Sequence, residues 1–521
     1  MRKIIIALVF VPSLAFAQAL PNLSSLSVRY NSQKTSAKPE GELKAQLDEV
    51  DKAIAEARRT GNNGEVRRQI ARGLALLNKD AWTPALDFRN SLVLRADRTV
   101  ADSTQPFAFR LEQIYRPAID LTPALTTKVS LQQRAQPTRP GATPRREVTP
   151  GGPPAPPVTV RELGTFDGVS RDLRESPYPI EVGVAGVADG VYVIRAEVFD
   201  GNTLLGAVNL DVSFTKGIDA RLQALETAAP AVAESIRADV LYPADFIKNV
   251  NRGRIQLGIF DVSKEVTIAE GVLAAAKSGT DPFKGKTGDF ERHHLLAGAN
   301  EVMPYRVYVP KAYSSSKPAA LVIALHGLGG TEDSFFDQYQ RQPVQLAEKH
   351  GFLMAAPLGY RVDGFYGSRM MGGADVAAER RGDYSERDVL EVLRLMKASY
   401  NVDESRIYLM GHSMGAIGTW ALGAKYPQTW AALVAFAGTG APALAEQMKS
   451  IPQFVVHGDN DPTVNVSGSR NMTAALTKAG AAVTYIEVPG GGHSDVVVPN
   501  LPGAFAFMAA QRKPGPQTSQ K

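Results

Sequence analysis

The chain has 521 residues, of which 44 % are hydrophobic, 21 % charged and none cysteine, with a formal net charge of +5. That length exceeds what one hydrophobic core organises, so two or three domains are expected, and the composition excludes a disordered or fibrous chain. The lack of cysteine excludes disulfides, a thiolate nucleophile, a cysteine-bound metal and a lipid-bearing N-terminal cysteine, and so small a net charge gives no support to a nucleic-acid partner.

Residues 1–17 join Arg2 and Lys3 to the apolar run Ile4 to Val11 and end in Ala15-Phe16-Ala17, with small residues at the two positions a signal peptidase reads. Cleavage is expected after Ala17, since the run is shorter than the ~20 residues that span a bilayer. The mature chain, at +3, has no later apolar run of membrane-spanning length, so an exported protein is expected, periplasmic or secreted, with no membrane contact after cleavage.

In residues 18–85 the apolar positions Leu43, Leu47, Val50, Ile54 and then Val66, Ile70, Leu74, Leu77 recur at three- and four-residue spacing on either side of Gly61-Asn62-Asn63-Gly64, which predicts a helical hairpin. From 86 to 215 the runs shorten, as in Ser91-Leu92-Val93-Leu94 and Phe107-Ala108-Phe109, and predict strands. Further strands are expected at 158–163, 178–185, 190–199 and 204–214, the last two joined by Asp200-Gly201-Asn202. The expectation is an immunoglobulin-like β-sandwich, with the Pro- and Gly-rich residues 135–157 as an insertion. Helical spacing returns over 216–287, as in Leu222, Leu225, Val232, Ile236 and Val240, and predicts a helical connector.

Residues 288–512 alternate apolar strands, the first from Val302 to Val309, with amphipathic helices such as the one expected from Glu386 to Tyr400. This pattern predicts a mostly parallel sheet with helices on both faces. Residues 513–521 read as a disordered tail. The strand Arg406 to Met410 runs into Gly411-His412-Ser413-Met414-Gly415 and then a helical pattern. This is the strand-turn-helix setting of a nucleophile elbow, where the sharp turn needs glycine at both ends. His326-Gly327-Leu328-Gly329-Gly330 follows another buried strand and suits an oxyanion loop, which makes the N–H groups of Leu328 and Met414 the candidate donors. His457-Gly458-Asp459-Asn460-Asp461-Pro462 ends a third strand and offers Asp461 as the acid, with Asp459 as fallback. His493, on the loop Pro489 to Gly492, comes last, so the chain order Ser413, Asp461, His493 is that of an α/β-hydrolase triad.

Through these motifs, with Tyr305-Arg306-Val307-Tyr308-Val309-Pro310, the segment from 300 to 512 resembles the α/β-hydrolase serine esterases, and within them the polyhydroxybutyrate depolymerase-like, feruloyl and acetyl-xylan esterase group. The resemblance implies an ester substrate, small or polymeric, attached to plant polysaccharide or part of a polyester, and hydrolysis through an acyl-enzyme with no cofactor. Two other readings stay open: a prolyl-oligopeptidase-like peptidase, disfavoured because no blade repeat precedes the segment, and a binding protein with an inert hydrolase domain. His326, His412 and His457 read as structural. His293-His294 lacks a third ligand, so no metal is expected. Residues 364–383, with Tyr366 and Arg369, read as a flexible loop overhanging the site. Because every catalytic motif lies after it, a chain starting near Gly288 is expected to fold and to hydrolyse small esters. The sequence does not fix the oligomeric state.

Overall fold

The computed structural model describes residues 23–122, 124–133, 157–255, 257, 260–368 and 376–513. The expected signal peptide, nearly all of the Pro-rich segment and the C-terminal tail from 514 lie outside them.

The first helices are α1 (Leu23–Ala37), α2 (Gly41–Arg59) and α3 (Asn63–Leu77). Leu47, Val50, Ile54 and Ala57 of α2 face Val66 and Ile70 of α3, and Tyr30 of α1 closes the cluster. The Tyr30 ring rests on Gly73, where an added Cβ would stand 2.4 Å from it. Strands had been expected from residue 86, but α4 (Pro84–Ser91) occupies 84–91. Thr83 accepts the Leu86 N–H and Pro84 fills the first turn, a start signal that outweighs the short apolar run.

Next come β1 (Leu92–Arg95), β2 (Val100–Ala101), β3 (Phe107–Gln113), β4 (Ala124–Gln133), β5 (Val158–Ser170), β6 (Tyr178–Val182), β7 (Gly190–Asp200) and β8 (Thr203–Phe214). They form a three-stranded sheet, β1-β3-β6, and a five-stranded sheet, β2-β8-β7-β4-β5. Phe107, Phe109 and Leu111 of the first share one core with Leu125, Val129, Ile194 and Phe214 of the second. The alternation of buried and exposed positions along β3 and β4 is the period of strands with one face inward. β5 runs past 163 to 170, its pairing with β4 carried through irregularities where Gly164 and Gly168 adopt positive φ.

The helices α5 (Ile218–Ala228), α6 (Glu234–Asn251) and α7 (Val262–Lys277) pack together and lead to the largest sheet. That sheet holds β9 (Gly288–Leu296), β10 (Glu301–Val309), β11 (Ala319–Leu325), β12 (Leu353–Pro357), β13 (Val402–His412), β14 (Ala432–Phe436), β15 (Gln453–Gly458) and β16 (Val483–Val488). Its order is β9-β10-β12-β11-β13-β14-β15-β16, parallel from β12 to β16 and antiparallel at β9 and β10. Its helices are α8 (Ser334–Asp337), α9 (Gln342–His350), α10 (Val376–Ser399), α11 (Met414–Lys425), α12 (Ser467–Lys478) and α13 (Val497–Ala509). Leu321, Ile323 and Leu325 pack with Val389, Trp420 and Met472 of α10, α11 and α12, whereas Ala320, Val322 and Ala324 pack with Val344, Leu501 and Phe505 of α9 and α13. Helices therefore cover both faces of an α/β sheet.

Two sequence expectations need correction here. The sheet begins at Gly288, ahead of Val302, because β9 hides a strand of charged residues: Arg292 and His293 are buried against Asp239 of α6, so their polarity is satisfied across the helix-sheet contact. Residues 376–383 belong to α10 and are no loop. Tyr366 is fully buried: its N–H donates to Ser385 Oγ and its ring lies against Gly418 of α11, so it sits beneath the elbow helix rather than over the site.

Candidate active site

Ser413 stands between β13 and α11 with φ 56° and ψ −117°, a conformation that costs a non-glycine residue about 1–3 kcal/mol and persists only where its surroundings impose it. The imposing contacts are backbone ones. The Ser413 N–H donates to Phe436 O at 2.9 Å. A Cβ on Gly415 would lie 1.9 Å from Leu325 O, and one on Gly411 would lie 2.2 Å from the Gly415 carbonyl. Only glycine fits at either end, and the turn lifts Ser413 above the C-terminal edge of the parallel strands.

The loops after β15 and β16 meet Ser413 there. His493 Nε2 lies 2.9 Å from Ser413 Oγ, and its Nδ1 lies 2.7 Å from Asp461 Oδ2. Asp461 Oδ1 accepts the N–H groups of Thr463 and Val464, and Oδ2 also faces His457 Nε2 at 3.1 Å. Burial pushes the Asp461 pKa up, but the bonds from His457, His493 and Val464 more than offset it and hold the carboxyl well below its usual range. Asp459 is exposed and accepts the Gly490 N–H at 2.6 Å, so it ties the two loops together. Asp461, and not Asp459, is the carboxylate brought to His493.

The glycine loop after β11 passes beside the serine, since a Cβ on Gly327 would stand 3.4 Å from Ser413 Cβ. The N–H groups of Gly329 and Gly330 are bonded to Val362 O and Gly327 O, whereas among the described residues no acceptor takes the N–H of Leu328 or of Met414. His326 is buried, its ring spanning Gly327 O and Leu358 O, which fixes the base of this loop.

Sequence reasoning missed one contact. His412 Nε2 faces His493 O at 3.0 Å, and its Nδ1 faces the Tyr339 hydroxyl at 2.9 Å. Tyr339, Gln340 and Arg341 all have left-handed backbone, with φ of 51°, 57° and 56°. Arg341 helps to hold that costly turn through ion pairs to Asp289 and Asp337. Tyr339 lies 73 residues before His412, so no local pattern announces the pairing. Burial, then the neighbouring His493, lowers the His412 pKa to about 4. The neutral ring then donates from Nε2 to His493 O and accepts from Tyr339 at Nδ1, a tautomer assigned from its partners.

This depression has a defined sign. A folded pKa below the unfolded value of about 6.5 gives stability that is complete above pH ~6.5 and is lost as pH falls through 4, on the order of 3 kcal/mol in all. Urea unfolding is expected to show this loss between pH 6.5 and 4, and His412→Asn should flatten it. An equally steep decline in the variant would contradict the assignment.

The comparisons bear on the same segment. Residues 297–488 match the protein-family model described as "Putative esterase". Feruloyl esterase B of Neurospora crassa is 30 % identical over 146 residues, 28 % of this chain and 47 % of that protein. Acetylxylan esterase A of Aspergillus oryzae is 29 % identical over 136 residues, 26 % of this chain and 41 % of that protein. The chain therefore spans less than half the length of these curated relatives. Among solved structures, a CE1 ferulic acid esterase from Anaeromyces mucronatus in complex with ferulic acid aligns with TM-score 0.36 and 18 % identity, over 43 % of this chain and 90 % of that one. From the strand pattern, the elbow and the family match together, the C-terminal segment of this chain resembles the serine esterases of the α/β-hydrolase type.

Proposed function

We propose that this chain is an exported serine hydrolase that cleaves carboxylic esters through an acyl-enzyme intermediate. The observation that carries the reading is the continuous hydrogen-bond line Asp461–His493–Ser413 at the tip of a strained strand-helix turn. Ser413 Oγ attacks the ester carbonyl while His493 Nε2 takes its proton. Asp461 fixes the tautomer of His493 and stabilises the imidazolium that forms. The tetrahedral oxyanion is received by the N–H groups of Leu328 and Met414. His493 then protonates the departing alkoxide, and water, activated by the same ring, releases the acid.

The substrate class we infer is an ester carried on plant polysaccharide, an inference supported by the names of the relatives, an acetylxylan and a feruloyl esterase. In this reading residues 18–85 and an immunoglobulin-like sandwich at 86–215 are accessory modules for a large substrate, and 216–287 connects them to the catalytic domain at 288–512. The contact between Ser32 Oγ of α1 and Thr463 Oγ1, at 3.3 Å, supports a place for the first module beside the acid loop. Purified protein assayed on p-nitrophenyl esters, feruloyl and acetyl-xylan esters and aminoacyl anilides tests the proposal. Turnover of the anilides with none of the esters would replace it with a peptidase.

The acid assignment gives a ranking. Asp461→Asn is expected to lower kcat on p-nitrophenyl acetate about 10⁴-fold by losing the His493 tautomer, whereas Asp459→Asn should cost less than about tenfold. The opposite order would move the role to Asp459.

A further inference from the structure

We propose a structural binding site for a hard divalent cation, Ca²⁺, between Glu291 of β9 and the pair Glu332 and Asp333 that follows the glycine loop. One carboxylate oxygen from each of the three lies within 4.8 Å of the others. Calcium bonds of 2.3–2.6 Å place oxygens on opposite sides of the ion about 4.6–5.2 Å apart and adjacent ones closer, so the three fit one coordination sphere.

A separate observation is an orphaned oxygen inside the group. Glu332 is only 7 % exposed, and its Oε2 has no hydrogen-bond partner among the described residues. A buried carboxylate oxygen without a partner is costly to leave unsatisfied. Glu291 and Asp333 each commit one oxygen, Glu291 Oε1 to His293 and Asp333 Oδ1 to Arg306, which leaves each a second oxygen.

The charge around the site is unbalanced in the same direction. Arg306 and Arg341 serve Asp289, Asp333 and Asp337, three carboxylates for two guanidinium groups. Arg292 is matched by Asp239, and Glu291 by His293 even when that ring is counted as cationic. With Glu332 counted as ionised, the patch carries a net charge of −2, which burial and the neighbouring Asp333 oppose by raising the Glu332 pKa when no cation is bound. One proton would remove half of that; one divalent cation removes all of it. Side-chain exposure of 25 % at Glu291 and 36 % at Asp333 leaves a path for the ion and room for the water ligands that complete its shell. All-oxygen donors select calcium or magnesium over zinc, and neither of the adjacent histidines His293 and His294 is a ligand. The ion would tie β9 to the chain two residues past Gly330, and so steady the loop that carries the Leu328 N–H.

The test uses the full chain freed of metal with a chelator. Equilibrium dialysis against CaCl₂ is expected to give one ion per chain, and a few millimolar CaCl₂ should raise Tm by several degrees, with MgCl₂ at least tenfold weaker. Glu332→Gln should abolish both effects while its metal-free Tm stays at or above that of the metal-free wild type. Glu291→Gln provides the same readout if the first variant fails to fold. Absence of stoichiometric binding overturns the proposal, and so does binding that survives both substitutions. A wild type that binds no cation while Glu332→Gln is the more stable protein overturns it in favour of a shared proton.

Discussion

Ser413→Ala is expected to lower kcat on p-nitrophenyl acetate by about 10⁶, to the level that binding and oxyanion stabilisation supply without a nucleophile. The size follows from the geometry. Ser413 Oγ is the only hydroxyl bonded to His493 Nε2 among the described residues, so no neighbour can take over attack. The fold should survive. The side chain is a polar tip at the mouth of the elbow, and the turn is imposed by Gly411, Gly415 and the Phe436 carbonyl, none of which the substitution alters. Relief of the positive φ is not gained, because alanine at φ 56° is strained as serine is. Unchanged circular dichroism and Tm with lost turnover is the expected outcome; residual activity of a few per cent would remove Ser413 from the mechanism.

The second large effect lies where α6 meets β9. Asp239 is 3 % exposed and holds Arg292 and the backbone and ring of His293, while Tyr242 stacks on the His293 ring with centroids 3.8 Å apart. Asp245 of the same helix accepts the Val302 N–H of β10. Asp239→Ala leaves the Arg292 guanidinium buried without its carboxylate and is expected to cost about 3–5 kcal/mol. The same contact revises the expectation that a chain starting near Gly288 folds unaided. Such a chain keeps β9 and β10 but lacks the helix that covers them, and it is expected to be insoluble or to unfold far below the full-length protein. A chain starting near Lys216, which retains α5 to α7, should fold and turn over p-nitrophenyl acetate. Equal Tm for the two truncated chains would show that α6 only rests on the sheet.

The difference between these two regions explains what was legible in the sequence. Ser413, Asp461 and His493 each sit on a short glycine- or proline-marked loop that directly follows an apolar strand, so local pattern and chain order sufficed to single them out. Their distances could not be read from spacing, and the choice between Asp461 and Asp459 rested on a two-residue difference that only loop geometry decides. β9 was missed because its interior residues are charged and find their partners on a helix some 50 positions away, a pairing that apolar periodicity cannot register. The helix at 84–91 was missed because the capping signal Thr83-Pro84 preceded a run too short to show a period. Tyr339 carries no local signal at all: it reaches His412 through three left-handed residues whose conformation depends on ion pairs formed elsewhere in the fold.

The central claim, that Ser413 is an activated nucleophile, is tested most directly by treating the full-length protein with a fluorophosphonate and locating the adduct by mass spectrometry. The account predicts one adduct per chain, on the peptide containing Ser413, with labelling lost in Ser413→Ala and strongly slowed in His493→Ala. Folded wild-type protein that stays unlabelled, or an adduct on any other residue, would contradict it.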